Sequence, residues 1–436
     1  MTSIDLSSYE AEREALIAED RALRFDHQQK YTDVLGPKDL LMKADAALRQ
    51  IRRDEAESVW SKETEDVPHI FPGMEFLTAK KTIERTKLFQ TVKKLPKGAL
   101  LHSHMDAMCD AEFLIKEAFK YDQMHVRSPS VISANTLMST LPVFSALSLD
   151  YIEGVSKVGI GHPEYMVGDW VPVKRARSDF PSELGGPEGF DRWVIGALMI
   201  DPKEALEKYN TSKKIWVKFG STFVVARGLL GFEPVLEAYY RELLRSSIDD
   251  GISYVEVRIN FLEKTMVRAN GKADFTHREW LLCFERVIRE VQEEMKALGR
   301  DDEFVGAKVI YTTLRFLELD QIDESFDDCI ALMKEFPHLI AGYDLVGQED
   351  VYYPLRYYLP KLLEFQQRIK AEGLSIPFIF HAGETLGDGD KVDENLYDAI
   401  LLGTKRIGHG FSLVKHPHLI KLCRERGVTI EVCPIS

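Results

Sequence analysis

The chain has 436 residues, 45% of them hydrophobic, which is enough for one large buried core and excludes a mainly disordered protein. Its 70 acidic and 56 basic residues give a formal net charge of −14, which argues against nucleic acid or an anionic membrane as the main partner, because both bind basic surfaces. Five widely spaced cysteines without a Cys-x-x-Cys pair argue against a disulfide framework and against a thiolate zinc site. A small neutral or cationic molecule is the partner that this composition favours.

Residues 1–80 predict a helical N-terminal extension. Helical patterns run to Arg24 and then from about Asp39 to Trp60, with Gly36-Pro37 between them. We expect this extension to act as an arm that packs on the core or on a second copy of the chain. The N-terminus shows no apolar signal-peptide stretch and the sequence has no uncharged run of 18 residues, so we expect a cytoplasmic protein without a membrane span.

The main domain is expected over residues 81–436, with a loop-rich insertion at about 126–190 that holds six of the 18 prolines. After the insertion, short apolar runs alternate with helical patterns. The runs predict strands at 254–259, 307–311, 339–345, 376–380, 406–409 and 428–432. The apolar residues before His102 predict one more strand, which makes seven.

Seven strands that each end in polar residues predict an α/β fold, a (β/α)₈ barrel of the TIM-barrel type with its active site at the C-terminal strand ends. A doubly wound open sheet is the alternative. That fold usually has a Gly-rich phosphate-binding turn after its first strand, and none follows His104. Because no eighth strand follows, we expect a barrel truncated before strand 8.

Histidines stand at the ends of these predicted strands. His102 and His104 are two residues apart, so in an extended chain both rings point to one face. His381 ends another strand. Neutral imidazole is a good ligand for Zn²⁺, so these three residues predict a metal site with positions left for a carboxylate and a water.

Two further residues follow the same strand ends. Glu384 comes three residues after His381, where a turn can aim its carboxyl into the same cavity, and we interpret it as a proton donor. The alternative is an acidic residue in the first turn of a helix. His409 lies between two glycines and is interpreted as the group that orients an attacking hydroxide; a histidine held in the core is the alternative.

The order of the motifs resembles the adenosine deaminase family. The motifs are His102-x-His104-x-Asp106, His381-Ala-Gly-Glu384, Arg406-Ile-Gly-His-Gly410 and Glu431-Val-Cys-Pro-Ile-Ser436. Three more segments resemble the adenosine deaminase-related growth factor (adenosine deaminase 2-like) branch: Trp216-Val-Lys-Phe219, the segment 342–350 and the segment 409–417. The N-terminal extension and the insertion occupy the places where that branch has dimerisation helices and an extra domain.

The resemblance implies a metal-dependent hydrolase with one Zn²⁺ per chain. The reaction that it implies is the hydrolytic deamination of adenosine, and of 2′-deoxyadenosine, to inosine and ammonia. In this reading His102, His104 and His381 are the metal ligands. Glu384 donates a proton to purine N1, and His409 positions hydroxide for attack at C6.

The resemblance also implies residues that bind the purine nucleoside. Gly347 matches the glycine whose backbone N–H meets purine N3, and Asp106 and Trp216 match positions that line the ribose side. The family's fourth zinc ligand is an aspartate after strand 8, next to a substrate-binding aspartate. Since the sequence stops at Ser436, we expect weak zinc binding and little activity from the chain as it stands.

Two other functions stay open. The first is deamination of another aminopurine such as AMP, whose 5′-phosphate would need a basic pocket; Lys174, Arg175 and Arg177 are interpreted more simply as a solvated charge cluster. The second is a non-enzymatic, growth-factor-like binding protein. The resemblance further implies a homodimer through the N-terminal helices, and it makes secretion the alternative to a cytoplasmic location.

Overall fold

The computed structural model describes residues 6–29, 38–63, 67, 70–148 and 154–434. The chain divides into two compact units, residues 1–94 and residues 95–436. No helix in the described part of the chain is both long enough and apolar enough to cross a membrane.

The first unit is helical, as its sequence predicts. Its helices are α1 (Leu6–Gln29), α2 (Lys38–Ser58), α3 (Phe76–Ile83) and α4 (Lys87–Val92). The buried carboxylate of Glu55 in α2 accepts hydrogen bonds from the backbone N–H groups of Lys87 and Leu88, which are free donors in the first turn of α4. This contact ties α4 to α2 within the first unit. The end of the extension at residue 80 stays a prediction.

The second unit alternates strands and helices. Its strands are β1 (Gly98–Leu100), β2 (Met124–Arg127), β3 (Val143–Ala146), β4 (Val171–Pro172), β5 (Ile252–Asn260), β6 (Thr265–Met266), β7 (Phe275–Thr276), β8 (Gly306–Leu314), β9 (Ile340–Val346), β10 (Ile379–Ala382), β11 (Arg406–His409) and β12 (Thr429–Glu431). Its helices are α5 (Ala111–Ala118), α6 (Val173–Ser178), α7 (Gly186–Leu198), α8 (Pro202–Glu207), α9 (Ser212–Leu230), α10 (Glu233–Asp249), α11 (His277–Ala297), α12 (Gln321–Glu335), α13 (Leu355–Ala371), α14 (Asn395–Leu401) and α15 (Pro417–Arg426).

Seven parallel strands form the central sheet, in the same order in space as in the chain. One part has the order β1-β5-β8-β9 and the other β10-β11-β12, and a bridge between Tyr343 and Phe378 joins them. A doubly wound sheet would reverse its strand order, and no reversal occurs in this sheet. The barrel-type α/β fold and its seven predicted strands are therefore confirmed.

The sheet curls until its first and last strands approach each other. His102, two residues after β1, has its Nδ1 2.8 Å from a carboxylate oxygen of Glu431 in β12. A flat sheet would separate strands one and seven by roughly 28 Å, at about 4.7 Å per strand. Curling therefore brings the C-terminal ends of distant strands around one central space.

The predicted insertion contains regular structure of its own. Strands β2, β3 and β4 form a small antiparallel sheet in the order β3-β2-β4, and helices α6 and α7 follow it. The indole of Trp193 in α7 donates a hydrogen bond to the carbonyl of Thr140 at 2.8 Å and is buried. The segment is thus a packed addition between β1 and α9, although its prolines and glycines predict loops.

Candidate active site

Across three neighbouring strands of the sheet, two residues of the site lie on either side of a glycine. His381 in β10 pairs in register with Gly408 in β11, which pairs with Glu431 in β12. Register partners in a sheet point to the same face, so His381 and Glu431 flank a position that has no side chain. A Cβ atom on Gly408 would lie 2.9 Å from Cε1 of His102. Glycine is required here because the His102 ring occupies that space.

Four imidazoles meet in this space. The ring centroids of His102 and His381 are 4.7 Å apart, and those of His102 and His409 are 4.6 Å apart. The Nε2 atoms of His104 and His381 are 3.3 Å apart. Residues from the end of β1, from β10 and from β11 thus converge as the barrel geometry predicts.

The cluster contains two overlapping candidate ligand sets. His102, His381 and His409 each offer a ring nitrogen, and these atoms lie within 4.8 Å of one another. The predicted set has His104 in place of His409. His102 and His381 belong to both sets, so they are the best-supported ligands, and His104 as the third stays a prediction.

Buried carboxylates orient the two shared histidines. Nδ1 of His381 lies 2.7 Å from Oδ2 of Asp344, whose Oδ1 accepts the backbone N–H of His381 at 2.9 Å. Nδ1 of His102 is held in the same way by Glu431. A carboxylate that fixes Nδ1–H leaves the Nε2 lone pair free for a metal ion.

Arg258 connects these two carboxylates. Its side chain is fully buried in the interior of the sheet, where Nε donates to Asp344 at 2.8 Å and Nη2 donates to Glu431 at 2.7 Å. A third donor, Nη1, reaches the carbonyl of Leu101 at 3.1 Å. One guanidinium therefore bridges both carboxylates and helps to position both histidine rings. Arg406 also holds Glu431, with its Nε 2.6 Å from Oε1.

Burial keeps the imidazoles in their neutral form. It is the main cause that lowers the pKa of His102, His104, His381 and His409, in the last case to about 3. Neutral imidazole is the form that binds a metal ion. The donor set and its protonation state both fit Zn²⁺.

The structure brings together His409 and Glu384, the two residues that the sequence predicts to be catalytic. Nε2 of His409 lies 3.5 Å from Oε1 of Glu384. His409 has φ +69°, the one positive φ value of a non-glycine residue in the described chain. Such backbone strain, at roughly 1–3 kcal/mol, persists where the surrounding structure requires it, often at functional sites.

The predicted nucleoside-binding residues lie at varying distances from the cluster. Asp106 lies in the short 3₁₀ turn Met105–Ala107, two residues after His104, and burial raises its pKa to about 6. Gly347 follows β9 directly, with φ +113°. Trp216 is farther away: its ring contacts Phe219, Phe219 contacts Phe223, and Phe223 contacts His104, at centroid distances of 5.4, 5.0 and 6.4 Å.

A cavity of about 420 Å³ is lined by Met105 and Asp106, which directly follow His104 in the chain, but by none of the four histidines. Its volume is within the usual range for small-molecule sites. Its charged lining residues are Asp106, Arg227 and Glu263, and the last two lie 3.8 Å apart. The cavity is therefore acidic overall.

Sequence reasoning did not assign roles to Arg258, Asp344 and Glu431. Each of the three lies in a strand, between residues that are mainly apolar, as Arg258 does in the segment 254–259. Charged residues are seldom fully buried unless they are paired. A charge in the middle of a predicted buried strand was thus the signal for this network.

Comparison with known proteins identifies the family. The family model described as Adenosine deaminase matches residues 196–436, more than half of the chain. This chain belongs to the adenosine deaminase family. Adenosine deaminase 2-A of Danio rerio is 31% identical over 365 residues, which are 84% of this chain and 66% of that protein. Adenosine deaminase 2 of Homo sapiens is 28% identical over 366 residues, 84% of this chain and 65% of that protein.

A solved structure is also similar. It is a cog1816 amidohydrolase from Burkholderia ambifaria with bound Zn, with a TM-score of 0.43 and 15% identity over 79% of this chain and 66% of that one.

The predicted family and its adenosine deaminase 2-like branch are confirmed by the sequence relatives from Danio rerio and Homo sapiens. The chain spans just under two thirds of the length of those two relatives.

Proposed function

We propose that the chain catalyses the hydrolytic deamination of adenosine, and of 2′-deoxyadenosine, to inosine and ammonia. The observation that carries this proposal is the convergence of four neutral imidazoles with the Glu384 carboxyl at the C-terminal ends of the parallel strands. Active sites of barrel enzymes lie at that end. Membership of the adenosine deaminase family and the names of the relatives support the same reaction.

We propose that one Zn²⁺ binds at His102, His104 and His381, which leaves His409 free to orient water. When bound, zinc supplies Lewis-acid activation of water near neutral pH. The chain's own contribution is to hold the two shared rings by Nδ1, through Asp344 and through Glu431, so that little reorganisation is needed on binding.

In this mechanism Glu384 donates a proton to purine N1, which makes C6 electrophilic. Neutral His409 accepts a hydrogen bond from the attacking water and orients it toward C6. Water adds at C6 and the amino group leaves as ammonia, so adenosine plus water gives inosine plus ammonia. Gly347, Asp106 and Trp216 are proposed to bind the nucleoside.

The charge pattern favours a nucleoside over AMP. The cavity that Asp106 lines, which we propose takes the nucleoside, has two acidic side chains and one basic one, and Arg227 is already paired with Glu263. A 5′-phosphate would meet net repulsion there. The basic side chains of the insertion are engaged elsewhere, with Asp122, the carbonyl of Ser156 and Asp191. We expect kcat/KM for adenosine to exceed that for AMP, and the reverse order would contradict this assignment.

Glu384→Gln tests the reaction. Removal of the proton donor should lower kcat for ammonia release by about 10²- to 10⁴-fold without loss of zinc. The matched control is Glu394→Gln, the same change at an exposed position, which should behave like the parent. An unchanged kcat in Glu384→Gln would remove this residue from the mechanism.

We also propose a homodimer through the N-terminal helices. Support comes from apolar side chains that α1 and α2 leave exposed: Leu6, Tyr9, Leu16, Leu40 and Met42. Tyr9 and Leu16 are seven residues apart and share a face of α1. Sedimentation should give a dimer for the parent and a monomer for a Tyr9→Glu, Leu16→Glu variant, and equal masses would contradict the proposal.

A further inference from the structure

Glu349 is a buried carboxylate to which the proposed mechanism gives no role. It lies two residues after Gly347 and is 1% exposed. Oε2 accepts the backbone N–H of Glu384 at 2.8 Å, and Oε1 accepts the side-chain amide of Asn395 at 3.1 Å. Asn395 is itself fixed, since its Oδ1 accepts the backbone N–H of Leu355 at 2.8 Å. Both oxygens of Glu349 are therefore bound to groups with fixed positions.

The charge opposite Glu349 is Arg315, which is also fully buried, at 3.6 Å. Nε of Arg315 donates to the carbonyl of Leu345 at 3.1 Å, and Nη2 donates to the carbonyl of His381. Arg315 thus holds the start of the turn 381–384, and Glu349 holds its end. The two side chains of this ion pair therefore fix both ends of the backbone segment from His381 to Glu384, the proposed proton donor.

The turn between these two points is tight. Gly383 has φ +72°, and a Cβ atom there would lie 2.8 Å from Oγ of Ser412. The carbonyl of Gly383 accepts the backbone N–H of Ser412 at 3.0 Å. The Glu384 carboxyl leaves this turn and reaches to 3.5 Å from His409. A small displacement of the backbone N–H of Glu384 would therefore move its carboxyl relative to the cluster.

Stability alone does not explain this pair. Burying two charges is costly, and a well-packed apolar pair is often as stable or more stable. A fixed donor position has a larger effect on proton transfer, because a shift of about 1 Å can cost about 10²-fold in rate.

We propose that Glu349, held by Arg315, is a positioning residue that sets the backbone of Glu384 and thereby aims the Glu384 carboxyl at the substrate. This inference rests on the proposed function, because it presumes that Glu384 transfers a proton. Glu349 itself touches neither the substrate nor the metal ion in this account.

Glu349→Gln in the full chain tests the proposal with two readouts. For ammonia release from adenosine, kcat should fall about 10- to 100-fold while KM changes less than about threefold, because only transition-state alignment is lost. In hydrogen exchange followed by mass spectrometry, the peptide that contains Glu384 should exchange faster while the other strand peptides stay unchanged. Asp350→Asn is the matched control: it removes one negative charge from the adjacent, exposed position and should match the parent in both readouts.

The two readouts separate this proposal from the proposed function. A parent-like kcat in an active Glu349→Gln variant, or unchanged exchange at the Glu384 peptide, would overturn the positioning role. If the parent releases no ammonia, the proposed function fails and exchange alone decides the positioning role. If Glu349→Gln does not fold, Arg315→Lys takes its place: a lower kcat with unchanged KM supports the proposal, and a parent-like kcat overturns it.

Discussion

Two neighbouring residues of β9 show how differently the two faces of the sheet are used. Tyr343 points outward, where its ring lies 5.4 Å from that of Phe326 in α12 and 5.2 Å from that of Phe365 in α13. Asp344, the next residue, points inward, where it contacts Arg258 and His381. Because side chains alternate along a strand, one residue separates an aromatic layer from a charged site.

The outer face is built for burial. Tyr311 in β8 and Tyr343 in β9 are register partners, and Tyr343 forms a bridge to Phe378 directly before β10. Phe326 and Phe365 stack on each other at 4.3 Å. Such aromatic contacts stabilise without needing charge or a unique partner. The inner face instead depends on specific pairs, in which each charge needs a particular partner at a particular distance.

The largest effect should follow from breaking the inner face at its centre. Arg258→Met replaces the guanidinium with an apolar side chain of similar length. The carboxylates of Asp344 and Glu431 then lose their shared cation. We expect a loss of about 3–5 kcal/mol in the free energy of unfolding, measured by urea denaturation. Zinc affinity, measured by chelator competition, should fall at least about tenfold because both histidine supports move. Unchanged zinc affinity would mean that Arg258 does not position the rings.

A change on the outer face should separate stability from metal binding. Phe365→Ala removes one ring of the aromatic stack and should also cost about 3–5 kcal/mol of unfolding free energy. Under conditions where the variant is folded, zinc affinity should stay within about twofold of the parent, since the ring of Phe365 packs on those of Phe326, Tyr343 and Phe378. A tenfold loss of zinc affinity in the folded variant would show that the two faces are coupled.

A smaller change tests the two adjacent residues directly. Asp344→Asn removes the carboxylate that orients His381 and should weaken zinc binding about 10- to 100-fold. Tyr343→Phe is the matched control, because it alters the next residue on the opposite face and should leave zinc affinity unchanged. Equal effects in the two variants would contradict the division of roles between the faces.

The smallest effect is expected at a helix terminus remote from the cluster. The Arg268 hydrogen bond, with those from the Thr276 backbone and side chain, lowers the pKa of Glu279 in α11 to about 2. Because the folded-state pKa lies below the ordinary value of about 4.3, this contribution is present above that pH and is lost as the pH falls toward 2. Glu279→Gln should therefore cost about 1 kcal/mol of unfolding free energy at pH 7 and progressively less below pH 4. Glu293→Gln, an exposed change in the same helix, is the matched control and should leave the free energy of unfolding at pH 7 unchanged.

Strand positions and histidines could be predicted from sequence because they depend on local patterns. Apolar runs marked all seven strands, and the spacing of His102 and His104 put their rings on one side. The network of Arg258, Asp344 and Glu431 could not be assigned in this way. Any buried charge needs a partner, but which distant residue supplies it depends on how the sheet curls.

The site prediction had a similar limit. The sequence placed His381, Glu384 and His409 at strand ends, and the structure brings them together. The sequence did not reveal that Glu349 and Arg315 hold the two ends of the turn 381–384. Both side chains bond to backbone groups, and such bonds leave no pattern in the sequence. The choice between His104 and His409 as the third metal ligand likewise depends on distances of a few ångströms.

The most direct test of the central claim is ammonia release from adenosine by purified chain of known zinc content, measured before and after zinc removal and beside Glu384→Gln. Our account predicts release that needs zinc, returns when zinc is restored and is lost in the variant. A chain that carries one zinc ion at the histidine cluster and leaves adenosine unchanged would contradict it.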